Sequence, residues 1–409
     1  AYLAAWDGIS LRATGFCNVN QLFDLNFEQA SKIEVIKGPA PSSFGSDSMH
    51  GVINILSAPP SYQLDQKISL EYGAYGYTRA KYHYRHKSKS RGISINANAS
   101  NDEGYQSDSG YDQQKFTLRW ENYGEIWSTR VATELSNLNQ ETAGYIKGFN
   151  SFKEDQLRRI NPNPEAYRDS WSARTYARFH RKLTNKKTFT LIPYVRSTQM
   201  DFLQHYLPWQ PVEKNKHRSV GFRSSIKNKT QKYQWVAGLD WEFTKGSLTE
   251  IQELPFSQNQ PQGKHYDYEV NSNTGAVFGH SNFRLSKFLA VEIGGRFERT
   301  EYDYNNQLSD GSACSAEATK CRFSRPTDQA DRFTDLSLNF ATSLQLSPKQ
   351  IFYFRTARGF RAPQTGELYR LQSDQLRASI DSEKITSIEL GWRGNDLGAF
   401  SFDTVFFKM

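Results

Sequence analysis

The sequence predicts an all-β protein: a transmembrane antiparallel β-barrel with a small N-terminal unit inside its lumen. Three observations predict this fold. From about residue 61 onward, apolar and polar residues alternate with period two, in segments of about ten residues. The connections between these segments alternate between short turns and long polar loops. Residues 1–60 have another pattern, in which glycine and proline interrupt short apolar runs.

Residues 1–60 are predicted to form a compact unit with short strands and one short helix. The apolar runs at 33–36 and 51–55 predict two of the strands. Gly38-Pro39 predicts a turn after the first, because proline fixes φ and glycine tolerates unusual backbone angles. Gly45 is expected to end a short helical turn. Pro59-Pro60 then closes the unit like a linker.

Residues 61–409 are predicted to form a partial barrel of about fifteen strands, each long enough to cross a membrane when tilted. In the first strand, Ile68, Leu70 and Tyr72 alternate with polar residues. The polar faces are too charged for a dry core, because each unpaired buried charge costs several kcal/mol. The row Arg79, Lys81, His83 and Arg85 is an example. These faces are therefore expected to line a wet or polar interior, with lipid covering the apolar faces.

The connections predict an up-and-down meander with one short-loop rim and one long-loop rim, as outer-membrane barrels have. Short turns are predicted near 87–90, 121–126, 182–187, 228–232, 285–287, 347–349 and 395–398. Long loops are predicted near 101–111, 138–170, 199–216, 245–273, 302–334 and 359–384. A β-sandwich has no reason to sort its loops in this way.

Composition narrows the classes of function. The formal net charge of +8 is dispersed along the chain and forms no block that would predict nucleic-acid binding. The sequence contains no run of about 18 apolar residues, so no transmembrane helix is predicted. Cys314 and Cys321 are predicted to form a small loop disulfide, since no histidine or further cysteine has metal-site spacing, and Cys17 is left alone. The histidines are scattered, so no catalytic residue, metal site or cofactor is predicted.

Two segments carry a resemblance to a known family. Segment 33–46 (IEVIKGPAPSSFGS) with 51–55 (GVINI) resembles the end of the plug domain in TonB-dependent outer-membrane receptors. Lys37 stands where arginine is usual and Phe44 where tyrosine is usual. The matching plug positions are Glu34, Gly38, Pro39, Gly45 and Gly51.

A second match lies more than three hundred residues further along the chain. Segment 357–363 (ARGFRAP) with 366–369 (GELY) resembles a barrel motif of the same family, and 388–391 (IELG) resembles its next strand. The motif residues are Phe360, Arg361, Pro363 and Tyr369. The resemblance implies a barrel of the 22-stranded type when complete. The chain is therefore expected to be a piece cut at both ends, lacking the first half of the plug and about seven strands.

The resemblance also implies a contact that holds the plug, in which plug bases pair with barrel glutamates. By motif position Lys37 would be such a base, and Glu367 and Glu389 the acids. Alternation supports Glu389, since its neighbours Ile388 and Leu390 belong to the apolar face. Lysine lacks the two-pronged geometry of arginine, so a weaker contact is expected. Lys37→Ala is predicted to loosen the plug in the full-length protein.

The implied function is active uptake of a scarce, bulky nutrient across the outer membrane of a Gram-negative bacterium, and not enzymatic catalysis. Ferric siderophore is the first choice, with cobalamin, haem or carbohydrate as alternatives. The implied partners are TonB, outer-membrane lipid, lipopolysaccharide and a small ligand such as a metal chelate. The segment that contacts TonB would precede Ala1. The receptor is expected to be a monomer. Loop aromatics suit ligand stacking: Tyr145, Phe149, Phe152, Tyr167, Tyr206, Trp209, Tyr266 and Tyr268. A passive porin and a secreted carbohydrate-binding β-protein are the rival interpretations.

Overall fold

The computed structural model describes residues 2–16, 21–318, 320–373, 375, 377–397 and 400–409. Cys17 lies outside the described residues, as do residues 18–20 of the predicted N-terminal unit and part of the predicted turn near 395–398. No helix in the described ranges has both the length and the apolar character needed to span a membrane.

The described residues between 2 and 60 contain a small four-stranded sheet and are called the plug unit below. Its strands are β1 (Leu3–Trp6), β2 (Ile9–Ser10), β3 (Lys32–Lys37) and β4 (Gly51–Leu56). They lie in the order β2-β1-β4-β3, with β1 and β4 parallel and the other pairs antiparallel. Gly51 has φ +147°, and a Cβ there would collide with the carbonyl of Ile36, so only glycine fits this close approach. The helical content is two 3-10 turns, Gln21–Asp24 and Phe27–Gln29.

Eighteen further strands follow in the part of the chain that the structure describes. They are β5 (Asp65–Tyr72), β6 (Thr78–Lys87), β7 (Arg91–Asp102), β8 (Tyr111–Tyr123), β9 (Trp127–Glu141), β10 (Tyr167–Lys182), β11 (Lys187–Leu203), β12 (Val212–Lys229), β13 (Tyr233–Gln252), β14 (Gly263–Arg284), β15 (Leu289–Asn306), β16 (Gly311–Ser312), β17 (Phe323–Arg325), β18 (Gln329–Ser347), β19 (Gln350–Arg361), β20 (Leu371–Gln372), β21 (Glu383–Leu397) and β22 (Phe400–Lys408). A short helix, α1 (Thr365–Tyr369), follows β19.

All of these strands except β16, β17 and β20 form one 15-stranded sheet, called the barrel sheet below. Its strands pair antiparallel in chain order from β5 to β22, as the predicted meander requires. Short turns at 88–90, 124–126, 183–186, 230–232, 285–288 and 348–349 alternate with longer loops at 103–110, 142–166, 204–211, 253–262, 307–328 and 362–382. The predicted sorting into two rims is confirmed. The small strands β16, β17 and β20 form a separate sheet within the long loops.

The two faces of the barrel sheet differ as the alternation predicts. The outer face exposes large apolar side chains, among them Ile68, Leu70 and Tyr72 on β5 at 72%, 62% and 78% exposure. The inner face buries polar side chains, such as Lys115, Thr117 and Arg119 on β8. The predicted row of charges on β6 is paired with two β5 carboxylates: Glu71 binds Arg79 and Lys81, and Asp65 binds His83 and Arg85.

Candidate functional site

The inner face of the barrel sheet contacts the plug unit, and its arginines hold the backbone of that unit. Arginine side chains from five strands (β8, β10, β11, β12 and β19) each donate to a plug carbonyl oxygen. These carbonyls lie at turns and strand ends, and the guanidinium offers five donors in one plane. The pairs are Arg119–Ser57 at 2.6 Å, Arg178–Asp7 at 3.0 Å, Arg196–Ser10 at 2.6 Å, Arg355–Pro39 at 2.6 Å, and Arg223 with both Gly8 and Ser43.

A buried cluster of four charges joins the plug unit to β9 and β10. Asp24 of the plug unit accepts from plug Arg12 at 2.7 Å and from Arg174 of β10 at 3.3 Å. Arg174 also lies 3.4 Å from Glu134 of β9, which accepts the backbone N–H of Asn26 at 2.8 Å. Each of the four charged side chains is at most 6% exposed. Buried charges of this kind depend on every partner being present.

Two further carboxylates of the plug unit bind the barrel sheet. Asp7, in the left-handed region at φ 49°, accepts from the hydroxyl of Tyr176 at 2.8 Å and from the hydroxyl of Ser57 at 2.6 Å. Glu28 pairs with the buried ammonium of Lys115 at 3.1 Å. The plug unit therefore supplies acids and carbonyls, whereas the barrel sheet supplies most of the cations.

This distribution of charge is the reverse of the predicted contact, in which the plug would supply the cation Lys37 and the barrel would supply the glutamates. Lys37 is exposed and forms no ion pair with Glu367 or Glu389 in the described structure. Glu389 lies 3.7 Å from Arg355, and Glu367 pairs with Arg361 at 2.9 Å. Both glutamates have a nearer arginine on the barrel side, so the structure corrects the predicted partners. Glu389 does face the interior, because its carboxylate lies close to Gly38 of the plug unit. A Cβ added to Gly38 would be 3.4 Å from that carboxylate.

Arg355 is therefore expected to matter more than Lys37 for holding this edge of the plug. In the full-length protein, Arg355→Met should speed amide exchange in 36–40 by roughly ten- to a hundredfold, because a charge-assisted hydrogen bond contributes about 1.5–3 kcal/mol. Lys37→Met is the matched control and should leave exchange there unchanged. Equal effects of the two substitutions, read by hydrogen–deuterium exchange, would restore the Lys37 hypothesis.

The other predicted plug residues have local roles. Glu34 pairs with Lys32 at 2.8 Å and accepts from Asn54 at 3.1 Å, inside the plug sheet. Gly38 has φ +72°, which favours glycine after β3. Gly45 follows a single turn, closed by the Phe44 N–H on the carbonyl of Pro41 at 2.9 Å. A Cβ on Gly45 would run into the barrel carboxylate of Glu298, so the plug approaches the wall closely here.

The barrel motif at 360–369 lies directly on the plug unit. The N–H of Ala362 donates to the hydroxyl of Ser46 at 3.1 Å, and the N–H of Thr365 donates to the carbonyl of Gly15 at 2.9 Å. The side chain of Gln364 donates to Asp47 at 3.2 Å. The loop 362–382 thus binds the top of the plug, a role that the motif alone did not reveal.

The motif side chains fix this loop in place. Phe360 is buried, and the carbonyl of Pro363 accepts from the buried Tyr302 hydroxyl at 3.1 Å. Arg361 binds Glu367 and Glu383 at 2.9 Å each. Tyr369 is fully buried, with its ring 4.2 Å from that of Tyr304 and its hydroxyl 2.9 Å from Asp331. The loop also reaches across to β12 and β13, where Arg370 binds Glu213 at 2.8 Å and also binds Glu250.

A cavity of about 210 Å³ lies between the plug unit, strands β12–β14 and α1. The plug contributes Arg12, Gly15 and Phe16, and α1 with its flanks contributes 364–367 and Arg370. The buried ring of His217 stands in its wall, 5.7 Å from the ring of Phe16, and its Nε2 has no hydrogen-bond partner in the described structure. The cavity is therefore bounded by the plug on one side and by the loop 362–382 on the other.

The docking contact near Asp47 is expected to depend on pH. Burial raises the pKa of Asp47 to about 7, with nearby Arg361 opposing the shift. Because the folded pKa lies above the unfolded value of about 4, the folded state binds the extra proton. This contribution to stability is complete below pH 4 and is lost as the pH rises through 7.

Asp47→Asn should therefore remove part of the fall in stability between pH 5 and pH 8. Asparagine has a side-chain oxygen that can still accept from the amide of Gln364, and it cannot ionise. It also tolerates the φ of 71° at this position. The measurement is the urea midpoint of the full-length protein in detergent at both pH values. Asp108→Asn is the matched control, an exposed aspartate that is also left-handed, at φ 48°. An unchanged pH slope in the Asp47 variant would contradict the expectation.

The long loops carry the predicted aromatics and the disulfide. Cys314 and Cys321 are disulfide-bonded. Next to them, the ring of Phe323 stacks on His265 with centroids 3.7 Å apart. The candidate stacking residues Tyr266 and Tyr268 are buried in the same aromatic cluster, so they are not free to meet a ligand, and this expectation is corrected. Four others are 59–94% exposed: Tyr145, Phe149, Phe152 and Tyr206.

Comparison with known proteins identifies the family. Residues 167–409 match the family model described as TonB dependent receptor-like, beta-barrel. The chain belongs to the TonB-dependent receptor family. The resemblance noted in its two motifs is thereby confirmed, and the plug unit and barrel sheet correspond to the two parts of the family's fold.

Solved receptors share the fold of this receptor chain. The unliganded ferric citrate transporter FecA superposes with a TM-score of 0.76 at 12% identity, over 99% of this chain and 60% of that one. The ferric-catecholate import receptor Fiu from E. coli K12 gives 0.74 at 13%, over 99% and 65%. The ferric yersiniabactin uptake receptor FyuA from Yersinia pestis gives 0.75 at 13%, over 99% and 62%. The receptor chain thus spans 60–65% of the length of these relatives.

Several residues that hold the plug escaped the sequence analysis. Arg119, Arg174 and Arg196 all occupy polar positions of period-two strands, and all three are buried on the inner face. Nothing in the strand pattern says which inward arginine meets the plug and which meets only a neighbouring carboxylate. Asp24, the acidic partner of Arg174, and Asp7, which accepts from Tyr176, lie outside the strands of the plug unit, where no periodicity marks them.

Proposed function

We propose that this receptor takes up a scarce, bulky nutrient across the outer membrane of a Gram-negative bacterium, in a TonB-dependent step that displaces the plug. Membership of the family supports this, as does the exposed apolar outer face of the barrel sheet, which lipid would cover. The observation that carries the proposal is the cavity between plug and loop 362–382. It lies on the long-loop side, where a ligand arriving from outside would meet the plug first.

A ferric siderophore is the proposed cargo. Three of the solved relatives are described as a ferric citrate transporter, a ferric-catecholate receptor and a ferric yersiniabactin receptor. Exposed loop aromatics such as Tyr206 suit stacking on such a chelate. Cobalamin, haem and carbohydrate remain as alternative cargo. A passive porin is disfavoured because the plug unit occupies the lumen through buried ion pairs.

The test uses the full-length receptor. Purified protein is titrated with ferric catecholate, ferric hydroxamate and ferric citrate chelates, and with haem and cyanocobalamin, while tryptophan fluorescence reports binding. Cells expressing the receptor are then tested for growth on the bound compound with and without an energised TonB complex. Binding of one iron chelate and TonB-dependent growth would support the proposal. Haem or cobalamin binding alone would overturn the cargo, and rapid leakage of small sugars through liposomes containing the receptor would overturn the transport mechanism.

A further inference from the structure

A β-bulge on β14 turns the side chain of His265 toward the interior. Glu250 of β13 lies opposite Tyr266 of β14 in register. The next residue of β13, Ile251, lies opposite Lys264, so His265 is the extra residue of the bulge. In a regular strand His265 and Tyr266 would point to opposite faces, but both are buried, His265 at 0% exposure. The bulge thereby places an imidazole among the buried groups beneath the long loops.

Both ring nitrogens of His265 face hydrogen-bond acceptors. Its Nδ1 lies 3.0 Å from the carboxylate of Glu250, and its Nε2 lies 2.9 Å from the carbonyl oxygen of Pro261 in loop 253–262. A neutral imidazole has one N–H and one lone pair, so it satisfies only one of these contacts. An imidazolium donates to both. The face of the Phe323 ring, stacked 3.7 Å from the imidazole, also attracts a cation.

The charges linked to His265 balance when the imidazole is protonated. Glu250 also binds Arg370, which in turn binds Glu213 at 2.8 Å. The side chains of His265, Glu250 and Glu213 are at most 10% exposed. With an imidazolium, this cluster contains two cations and two carboxylates. A neutral imidazole would leave one buried negative charge uncompensated, which is costly in a protein interior.

Neighbouring charged and titratable groups have partners of their own. The pairs are Arg325 of β17 with the carbonyl oxygens of His265 at 2.9 Å and Lys264 at 2.7 Å, Lys264 with Asp267 at 2.7 Å, Tyr266 with the carbonyl oxygen of Leu371 at 2.5 Å, and Arg322 with the Trp209 ring at 4.6 Å. In the part of the chain that the structure describes, none of these groups binds Glu250. His265 and Arg370 are therefore the cations that neutralise it.

We propose that His265, as an imidazolium, is a positioning residue for the nutrient cavity. It fixes Glu250, and through Glu250 it fixes the guanidinium of Arg370, which lines that cavity. The same ring joins three long loops: 253–262 through Pro261, 307–328 through Phe323, and 362–382 through Arg370. Because the joined state holds the proton, raising the pH loosens it. The inference rests on the proposed function, since it assigns a control of the same cavity.

The first experiment measures hydrogen–deuterium exchange of the full-length receptor without nutrient, at pH 6 and pH 8.5, corrected for the intrinsic pH dependence of exchange. The segments read are 257–262, 321–327 and 368–373. Every protein carries Asp47→Asn, because burial raises the pKa of Asp47 to about 7 and Asp47 contacts Gln364 of the same loop. This parent protein is compared with three variants of it.

The variants separate charge from shape. His265→Gln is neutral at both pH values, whereas His265→Lys keeps a cation at both. His280→Gln is the matched control, because His280 lies on the same strand at its short-turn end. Resistance to denaturation in dodecyl sulfate at room temperature verifies folding.

The parent is expected to exchange roughly ten- to a hundredfold faster at pH 8.5 than at pH 6 in the three segments, the effect of losing hydrogen bonds to a charged group. His265→Gln should exchange fast at both pH values, His265→Lys slowly at both, and His280→Gln like the parent. Equal exchange of the parent at the two pH values, or an unchanged pH dependence in His265→Gln, would overturn the inference. These two results decide it even where the lysine variant does not fold.

The second experiment measures binding of a ferric catecholate chelate at pH 6 by tryptophan fluorescence. His265→Gln should bind it roughly tenfold more weakly than His280→Gln, because Arg370 is no longer fixed in the cavity wall. Equal binding by these two variants would show that His265 does not act on the cavity. If the parent binds no iron chelate, the proposed cargo fails, whereas the exchange measurement still decides the role of His265.

Discussion

Arg174→Met is expected to destabilise plug docking by about 3–5 kcal/mol, the usual cost of removing one member of a buried charge cluster. Arg174 lies within 3.4 Å of Asp24 and Glu134 at once. Without it, Glu134 keeps the N–H of Asn26, and Asp24 keeps Arg12. The methionine fills similar volume, so the loss would come from uncompensated charge and not from a cavity.

The measurement is hydrogen–deuterium exchange of 21–37 in the full-length receptor. Exchange there should be faster by two orders of magnitude or more, since about 1.4 kcal/mol corresponds to a factor of ten. Arg181→Met on the same strand is the matched control, because Arg181 is exposed and contacts the ring of Trp127, not the plug. A difference of less than a few-fold between the two variants would mean that the cluster does not hold the plug.

Joining the plug to loop 362–382 should block transport while leaving ligand binding intact. The N–H of Ala362 lies 3.1 Å from the hydroxyl of Ser46, so Ser46→Cys/Ala362→Cys places two thiols at this contact. Once oxidised, the bond would prevent the plug from leaving the loop. Uptake by cells should then fall to the level seen without an energised TonB complex, and a reductant should restore it.

Two controls separate this effect from damage to the native disulfide and from misfolding. The wild type treated with the same reductant controls for Cys314–Cys321, and each single cysteine variant controls for the substitutions themselves. Binding of the nutrient to the oxidised double variant should match the wild type. Full uptake by the oxidised double variant, with cross-linking verified by mass spectrometry, would show that the plug need not separate from this loop.

The barrel could be predicted from the sequence because period-two alternation is a local property. Ile68 and Leu70 face outward and Lys115 and Arg119 face inward because successive strand residues point to opposite faces. The sorting of loops likewise follows from chain order alone. The family motifs added the plug, since the strings at 33–46 and 357–369 are specific where a single Gly-Pro pair is not.

The partners across the lumen could not be predicted in the same way. Lys37, Glu367 and Glu389 are matched by motif position, but the distances decide the pairing, and each glutamate has an arginine closer to it. Tyr266 and Tyr268 looked like loop aromatics because they lie in a long polar stretch. They are buried because β14 extends further than its apolar pattern indicates and packs against the loop strand β17 and helix α1.

Which side of each strand meets lipid and which meets the lumen follows from the residue pattern, as does the presence of a plug before the barrel. Three further features emerge from the folded chain: which barrel arginines hold the plug, the contact of the loop carrying the 360–369 motif with the plug, and the place of the cavity. The side of the sheet to which a side chain points follows from backbone geometry over a few residues. Partner choice depends instead on the positions of groups up to 350 residues apart, such as Gly15 and Thr365, which no local pattern encodes.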